Sequence, residues 1–207
     1  MLFKYSEWPT QLFQSGDFFG NRGTGLLEFA VRNLIAPPTD RVHFGFLWMP
    51  LPDGDWVTLE STAPKGLGVG KLSWYNQTDV EFYRAVCSPE IRRAAPFEAL
   101  DMARGLYDYL FYFKVVPEGL GIILKHLITE RRFKRVGYKE FHYTADLIPV
   151  CTEVVVTGYD LAGFHLVDPG VAPLPNSLRA SQMEGRFYQI VAPAHLTALS
   201  TGWDPHG

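Results

Sequence analysis

Polar and apolar residues alternate over residues 41–46, and strand-like runs cover two neighbouring stretches of the chain, residues 41–49 and 56–62. A period of two is typical of β-strands that bury one face. The segment between them, Pro-Leu-Pro-Asp-Gly-Asp, is rich in turn-forming residues, so the two stretches are predicted to pair as a β-hairpin. Further strands are predicted at residues 16–19, 80–86, 164–168 and 187–191.

Helical spacing of apolar residues is found in residues 26–36, after the capping residue Thr24 and before a pair of prolines. The Ser-Pro pair at residues 88–89 predicts another helix start. Pro96 predicts a break followed by a second helix. Because the predicted helices and strands do not alternate regularly, the expected fold class is α+β.

Residues 148–158, which contain Cys151, allow two interpretations. Cys151 follows Pro-Val and precedes Thr-Glu, which suits the first turn of a helix. The three valines at 154–156 instead favour a buried strand, in which Cys151 is an inert core residue. The residues alone leave both interpretations open.

Composition narrows the functional classes. The chain has 207 residues, 47% hydrophobic and 20% charged, so one domain with a full core is expected, with a basic insertion at about residues 114–143. The formal net charge of −3 argues against a general nucleic-acid binder. The two cysteines do not make a disulfide framework, and Cys87 is taken as structural. No cofactor or metal is indicated, because the histidines share no metal-ligand spacing with the cysteines.

The expected location is the cytoplasm, because the N-terminal residues do not resemble a signal peptide and no apolar run is long enough to span a membrane. Delivery without a cleaved signal, as part of a virion or secretion assembly, remains open. One stretch of the chain is strongly basic and could contact an anionic polymer or lipid, or it could be a solvated face. Its cationic residues are Lys125, Arg131, Arg132, Lys134, Arg135 and Lys139.

The predicted hairpin carries two residues suited to acid–base chemistry, His43 and Glu60. Side chains alternate across a strand, so the two share a face only if the register has the right parity. A connection with an even number of residues puts them on the same face, and an odd one separates them unless a β-bulge intervenes.

A cysteine hydrolase needs such a histidine beside its thiolate, together with a polar group that holds the histidine. A thiolate is favoured at a helix N-terminus, where Cys151 would lie under the helical interpretation.

Six short motifs occur along the chain in one order. They are G-D-F-F (16–19), T-x-x-x-H-x-G (39–45), L-E-S (59–61), G-x-G (68–70), G-x-Y-D (105–108) and C-T-E-V-V (151–155). In this order the chain resembles the circularly permuted NlpC-type papain-like cysteine enzymes, in particular the YiiX/YaeF amidase group. In that group the histidine and a polar residue precede the cysteine. Threonine follows the cysteine here where serine is usual, and the basic insertion departs further from the pattern.

The resemblance implies roles for particular residues. Cys151 would be the nucleophile, His43 its base and Glu60 the residue that orients the histidine. Tyr107 would lie near the site as an oxyanion donor beside the Cys151 backbone N–H, with other tyrosines close by in sequence as competitors. The implied fold is a permuted papain-like domain, with a small antiparallel sheet or open barrel packed against helices.

The implied activity is hydrolysis of an amide bond, with bacterial cell-wall stem peptides as the leading substrate class. A lipid-directed acyl hydrolase or transferase, similar to lecithin:retinol acyltransferase, is the enzymatic alternative. The same fold could also serve as a structural or binding component of a phage particle or secretion assembly, with vestigial catalysis. An open cleft at Cys151 would favour an enzyme, and a filled one would favour an assembly component.

Overall fold

The computed structural model describes residues 8–22, 32–62, 66–76, 78–101, 120–129, 135–141 and 151–190. The strands are β1 (Phe18–Asn21), β2 (Ile35–Ala36), β3 (His43–Pro50), β4 (Trp56–Thr62), β5 (Gly66–Lys71), β6 (Val80–Ala85), β7 (Val136–Gly137) and β8 (Phe187–Ile190). The helices are α1 (Pro89–Asp101), α2 (Cys151–Leu161) and α3 (Pro175–Met183). Residues 32–34 and 120–129 are also helical, and short 3-10 turns lie at Thr10–Leu12, Leu72–Tyr75 and Tyr138–Glu140.

Six of these strands form one antiparallel sheet in the order β5-β4-β3-β1-β6-β8. The predicted hairpin is present as β3 and β4, and the α+β class is confirmed. Each face of the sheet carries its own apolar layer, because side chains alternate along every strand. One layer includes Phe18, Phe44, Phe46, Leu59 and Tyr83 and packs against α1 and α2. The other includes Trp8, Phe13, Phe19, Leu47, Trp56, Leu72 and Phe82.

The register between β3 and β4 shifts by one residue near Trp48. Gly45 lies opposite Glu60 and Leu47 opposite Thr58, whereas Met49 lies opposite Val57. The turn that joins the strands covers residues 51–55, which is an odd number of residues. A β-bulge supplies one extra residue to one strand and so restores the parity that the odd turn would break. The bulge therefore places His43 and Glu60 on the same face of the sheet.

Helix α1 corrects the prediction that Pro96 breaks the chain into two helices. Pro96 is buried inside a continuous helix. A proline has no N–H to offer the carbonyl four residues earlier, here that of Arg92. The Arg92 carbonyl instead lies against Gly16, where an added Cβ would be 1.8 Å from its oxygen. Gly16 also has a φ of 90°, so glycine is required at this contact on both grounds.

A smaller apolar cluster lies apart from the sheet. The two-residue strands β2 and β7 pair in parallel, and Ile35 and Val136 pack with Phe141 and Leu174. Ile35 and Ala36 are thus strand residues at the end of the predicted helix 26–36, of which only 32–34 are described as helical. Residues 164–168 form no strand, contrary to the prediction. Parts of the predicted basic insertion, residues 114–119, 130–134 and 142–143, lie outside the described residues.

Among the described residues, no helix is long and apolar enough to cross a membrane.

Candidate functional site

Cys151 is the first residue of helix α2, as the helical interpretation required. The valines that favoured a strand are buried against the sheet together with Tyr159. Burial of a large apolar side chain is worth about 1.5–3 kcal/mol, whereas a valine costs a helix at most about 0.7 kcal/mol in propensity. Tertiary packing therefore outweighs the local preference. The N–H groups of the first helical turn, which have no partner within the helix itself, lie at the same end of the helix as the thiol.

His43 is the first residue of β3, and its imidazole joins the other two candidate residues. Its Nε2 atom lies 2.6 Å from Oε2 of Glu60. The Cys151 thiol lies close enough to the imidazole for each group to shift the pKa of the other. Because Nε2 faces the carboxylate, Nδ1 is the ring nitrogen left for the sulfur. The sulfur lies 3.6 Å from the carbonyl oxygen of Val42, the residue before β3, so helix and histidine meet at the beginning of this strand.

Glu60 is a buried carboxylate with three hydrogen-bond partners. It is 5% exposed and accepts bonds from His43, from the Tyr75 hydroxyl and from Thr58 Oγ1, the last at 3.0 Å. Burial raises the pKa of Glu60, but the bonds from these donors outweigh it and leave the pKa below its usual range. Glu60 is therefore ionised at neutral pH and holds a negative charge against the imidazole.

Space for the Glu60 side chain comes from a glycine on the neighbouring strand. Gly45 lies directly opposite Glu60, and a Cβ there would be 2.9 Å from the Glu60 Cβ and 2.8 Å from the Phe19 ring. Phe19 in turn packs beside the His43 ring, with centroids 6.4 Å apart. The glycine thus allows the carboxylate and the imidazole to lie side by side.

Tyr75 is a functional residue that the sequence did not identify. It ends the 3-10 turn after β5, donates its hydroxyl proton to Glu60 Oε2, and lies with its oxygen 3.3 Å from His43 Nε2. Burial and the Glu60 charge raise the pKa of Tyr75, so it remains a protonated donor. No periodic signal marks this position, which only the fold brings to the site. Tyr107, the tyrosine predicted to lie near the site, is outside the described residues.

The surroundings of the thiol favour an ion pair. Burial lowers the pKa of His43, but bonds to Cys151 and Glu60 outweigh it and raise the pKa to about 10. Burial raises the pKa of the Cys151 thiol, but His43 and the Phe44 backbone N–H outweigh it and lower the pKa. The two shifts together favour thiolate and imidazolium over the neutral pair. By contrast, burial raises the pKa of the Cys87 thiol.

Access to the sulfur is closed in this structure, because Cys151 is only 1% exposed. A carbonyl carbon must approach a nucleophile to within about 3–3.5 Å before reaction. The sulfur is therefore not accessible to a substrate in this arrangement of the chain. In this arrangement Cys151 can be held as a thiolate and His43 as an imidazolium, and Glu60 orients the imidazolium.

Among the described residues, no cluster of histidine, cysteine and carboxylate side chains is arranged to hold a metal ion. A scan against models of known protein families finds no match, and a search of curated proteins finds no relative. The resemblance to permuted NlpC-type enzymes therefore depends on the motifs quoted above.

Proposed function

We propose that the chain is a cysteine hydrolase with a permuted papain-like fold of the NlpC type, and that it cleaves an amide bond. Cell-wall stem peptides are the proposed substrate class, which follows from the family resemblance. The observation that carries the proposal is one arrangement: an imidazole bonds a buried carboxylate through Nε2, and a thiol at a helix start contacts the residue before that histidine. Covalent catalysis by a cysteine requires a nucleophile, a base beside it and a group that orients the base.

The reaction divides into two steps. The Cys151 thiolate attacks the carbonyl carbon, and the bond to nitrogen breaks as His43 gives its proton to the leaving amine. Water then attacks the thioester while His43 takes a proton from it. The carbon–sulfur bond breaks, which releases the acid and restores the thiolate and imidazolium. The backbone N–H of Cys151 is a donor for the oxyanion of each tetrahedral intermediate.

Site-resolved alkylation tests the nucleophile. Iodoacetamide labelling of the native protein, followed by mass spectrometry, compares Cys151 with Cys87 in the same sample. We expect Cys151 to be labelled at a pH well below the ordinary thiol pKa, whereas Cys87 requires a higher pH. His43→Ala should remove the low-pH labelling of Cys151. Labelling of both cysteines only at high pH would contradict the proposal.

Turnover of a cell-wall tripeptide tests the roles of the other two residues. His43→Ala should lose about 100- to 10,000-fold in rate, the usual contribution of general acid–base catalysis. Glu60→Gln should retain part of the activity, because the amide oxygen still accepts a hydrogen bond from the ring. Circular dichroism and thermal melting separate loss of chemistry from loss of folding. Equal rates in properly folded wild-type and variant proteins would exclude this pair from the reaction.

A lipid-directed acyl hydrolase or transferase is a second candidate, favoured by one surface feature. Four large apolar side chains are 49–69% exposed along the helical residues 120–129, at the spacing of one helix face. They are Leu120, Leu124, Leu127 and Ile128. The exposed Lys125 lies among them, and the basic stretch follows in the sequence. Apolar residues beside cationic ones are typical of helices that lie on anionic membranes.

Vesicle sedimentation distinguishes this candidate. The wild-type protein should bind vesicles of phosphatidylserine and phosphatidylcholine, and bind phosphatidylcholine alone much less. Ile128→Glu should abolish this binding, whereas Met183→Glu, which changes a similarly exposed apolar residue on α3, should not. Equal binding by both variants would contradict a lipid role for residues 120–128.

The burial of Cys151 favours a third candidate, a structural component of a phage particle or secretion assembly in which catalysis is vestigial. The alkylation experiment decides this case as well. If Cys151 resists labelling at every pH at which the protein stays folded, the site is filled and the hydrolase proposal fails.

A further inference from the structure

A cavity of about 350 Å³ lies on the α2 side of the sheet, next to the strand that carries His43. Its floor includes the side chains of Phe44, Leu178 and Phe187. Four arginines also line it, against two carboxylates, Asp40 and Glu81. The arginines are Arg32, Arg41, Arg135 and Arg179. A cavity of this size that combines apolar side chains with convergent charged groups is a candidate small-molecule site.

The four arginines differ in how their charge is balanced. Arg41 is held by Asp79 and Glu81 at 3.0 and 2.7 Å, and Arg32 by Asp40 at 3.3 Å. In the part of the chain that the structure describes, Arg135 and Arg179 form no ion pair. Their recorded hydrogen bonds go to neutral acceptors. Two arginines that have no carboxylate partner among the described residues therefore face one cavity.

Two of the arginines also keep unused donors. The Nε atoms of Arg32 and Arg41 are buried and have no hydrogen-bond acceptor among the described residues. A buried N–H without an acceptor is costly, so such groups usually have a partner in the functional state. An anionic oxygen of a ligand could accept hydrogen bonds from the Nε atoms of Arg32 and Arg41. The same kind of atom would balance the charges of Arg135 and Arg179.

The cavity and the thiol share one residue of β3. The backbone N–H of Phe44 helps to lower the pKa of the Cys151 thiol, and Phe44 also lines the cavity. Arg41, which lines the cavity, precedes Val42, whose carbonyl oxygen lies 3.6 Å from the same sulfur. The cavity thus flanks the β3 residues that the sulfur contacts, although Cys151 itself does not line it.

We propose that this cavity binds an oxyanionic group, a carboxylate or a phosphate, attached to the apolar part of the molecule that Cys151 attacks. The link to Cys151 depends on the proposed hydrolase function, whereas binding in the cavity does not. Arg135 and Arg179 bind the oxyanion from the rim, and Phe44, Leu178 and Phe187 contact the apolar part.

Isothermal titration with small aromatic probes tests the binding. Benzoate and phenyl phosphate carry the two oxyanions, and benzamide is the neutral counterpart of benzoate. We expect at least one anionic probe to bind at least tenfold tighter than benzamide. Arg179→Gln and Arg135→Gln should each weaken that probe about tenfold, because each removes a charge-assisted hydrogen bond. Arg93→Gln, an exposed arginine on α1 that does not line the cavity, is the matched control.

Three results would overturn the proposal: equal binding of benzamide and the anionic probes, no measurable binding of any probe, or equal weakening by Arg93→Gln. A second measurement locates the site, because a saturating anionic probe should slow iodoacetamide labelling of Cys151 and leave Cys87 unaffected. Binding without this protection would overturn the assignment to substrate. Cys151→Ala should bind the probes as tightly as the wild type. If the hydrolase proposal fails, the probes should still bind, whereas if the cavity proposal fails, they should not.

Discussion

Replacement of Glu60 by glutamine changes one charge at the centre of the candidate site and very little of its shape. The amide oxygen can take the place of Oε2 and still accept from His43 and Tyr75. The amide nitrogen then faces Thr58, whose hydroxyl can rotate to accept a hydrogen bond. The geometry is retained, and the negative charge beside the imidazole is lost.

The expected effect is a lower pKa of His43, whose value in the wild type is raised to about 10 partly by Glu60. A hydrogen bond to a charged partner contributes about 1.5–3 kcal/mol and a neutral one about 0.5–1.5 kcal/mol. This difference alone is worth about one pH unit. Loss of the Coulomb attraction adds up to about 4 kcal/mol at 4 Å and an effective dielectric constant of about 20. Glu60→Gln should therefore lower the pKa of His43 by about one to four pH units.

Nuclear magnetic resonance of histidine-labelled protein measures this pKa directly. The chain has six histidines, and the signal of His43 is the one missing from a His43→Gln sample. Asp160→Asn is the matched control, since Asp160 pairs with the exposed ring of His165 at 3.0 Å, outside the site. The control should leave the titration of His43 unchanged.

Two outcomes would refute the reasoning. Titration of wild-type His43 near its ordinary value of 6.5 would show that the imidazole is not stabilised as a cation. An unchanged or higher pKa in Glu60→Gln would show that the carboxylate is not what stabilises it.

Three further predictions concern the same site. Gly45→Ala should destabilise the protein by about 1–3 kcal/mol by overpacking against Glu60, whereas Gly68→Ala, which meets no atom within 4 Å, should be tolerated in the same urea denaturation. Tyr75→Phe should cost about 1.5–3 kcal/mol in stability, because a buried carboxylate loses a donor. An unchanged urea midpoint would contradict this.

The third prediction concerns how the free energy of unfolding depends on pH. The quantity compared is the free energy of unfolding of the wild type minus that of a variant in which Cys151 and His43 are both replaced. Between pH 6.5 and 9 the unfolded pair holds one proton on sulfur, and the folded ion pair holds one proton on nitrogen, so the difference should be flat. Above pH 9 the unfolded thiol ionises while the folded imidazolium keeps its proton up to about 10, so the stabilisation should fall as pH rises. A steady slope across the range from 6.5 to 9 would count against an ion pair.

The hairpin could be predicted because its signal is local. The strand-like runs of β3 and β4 and the turn residues between them are visible in a single sequence, and they place His43 and Glu60 on paired strands. The helix that begins at Cys151 could not be decided in this way. Its valines favour a strand, and only the apolar layer that covers them makes the helix the more stable choice.

Other features depend on contacts between distant parts of the chain. Tyr75 reaches Glu60 from a 3-10 turn 15 positions later, and no local pattern marks that approach. Helix α1 continues through Pro96, and the Arg92 carbonyl left without its helical partner packs against Gly16, 76 positions earlier in the sequence. Such positions require knowledge of which segments meet, which a single sequence does not contain.

The bulge near Trp48 has a consequence for how this hairpin can vary. An odd turn and a bulge each reverse the side-chain parity, and together they cancel. Insertion or deletion of one residue in the turn would therefore move Glu60 to the opposite face, away from His43, unless the bulge were lost in the same event. In related chains that keep His43 and Glu60, we expect the turn of this hairpin to differ in length by two residues at a time. A change of one residue in the turn should occur only together with gain or loss of the bulge.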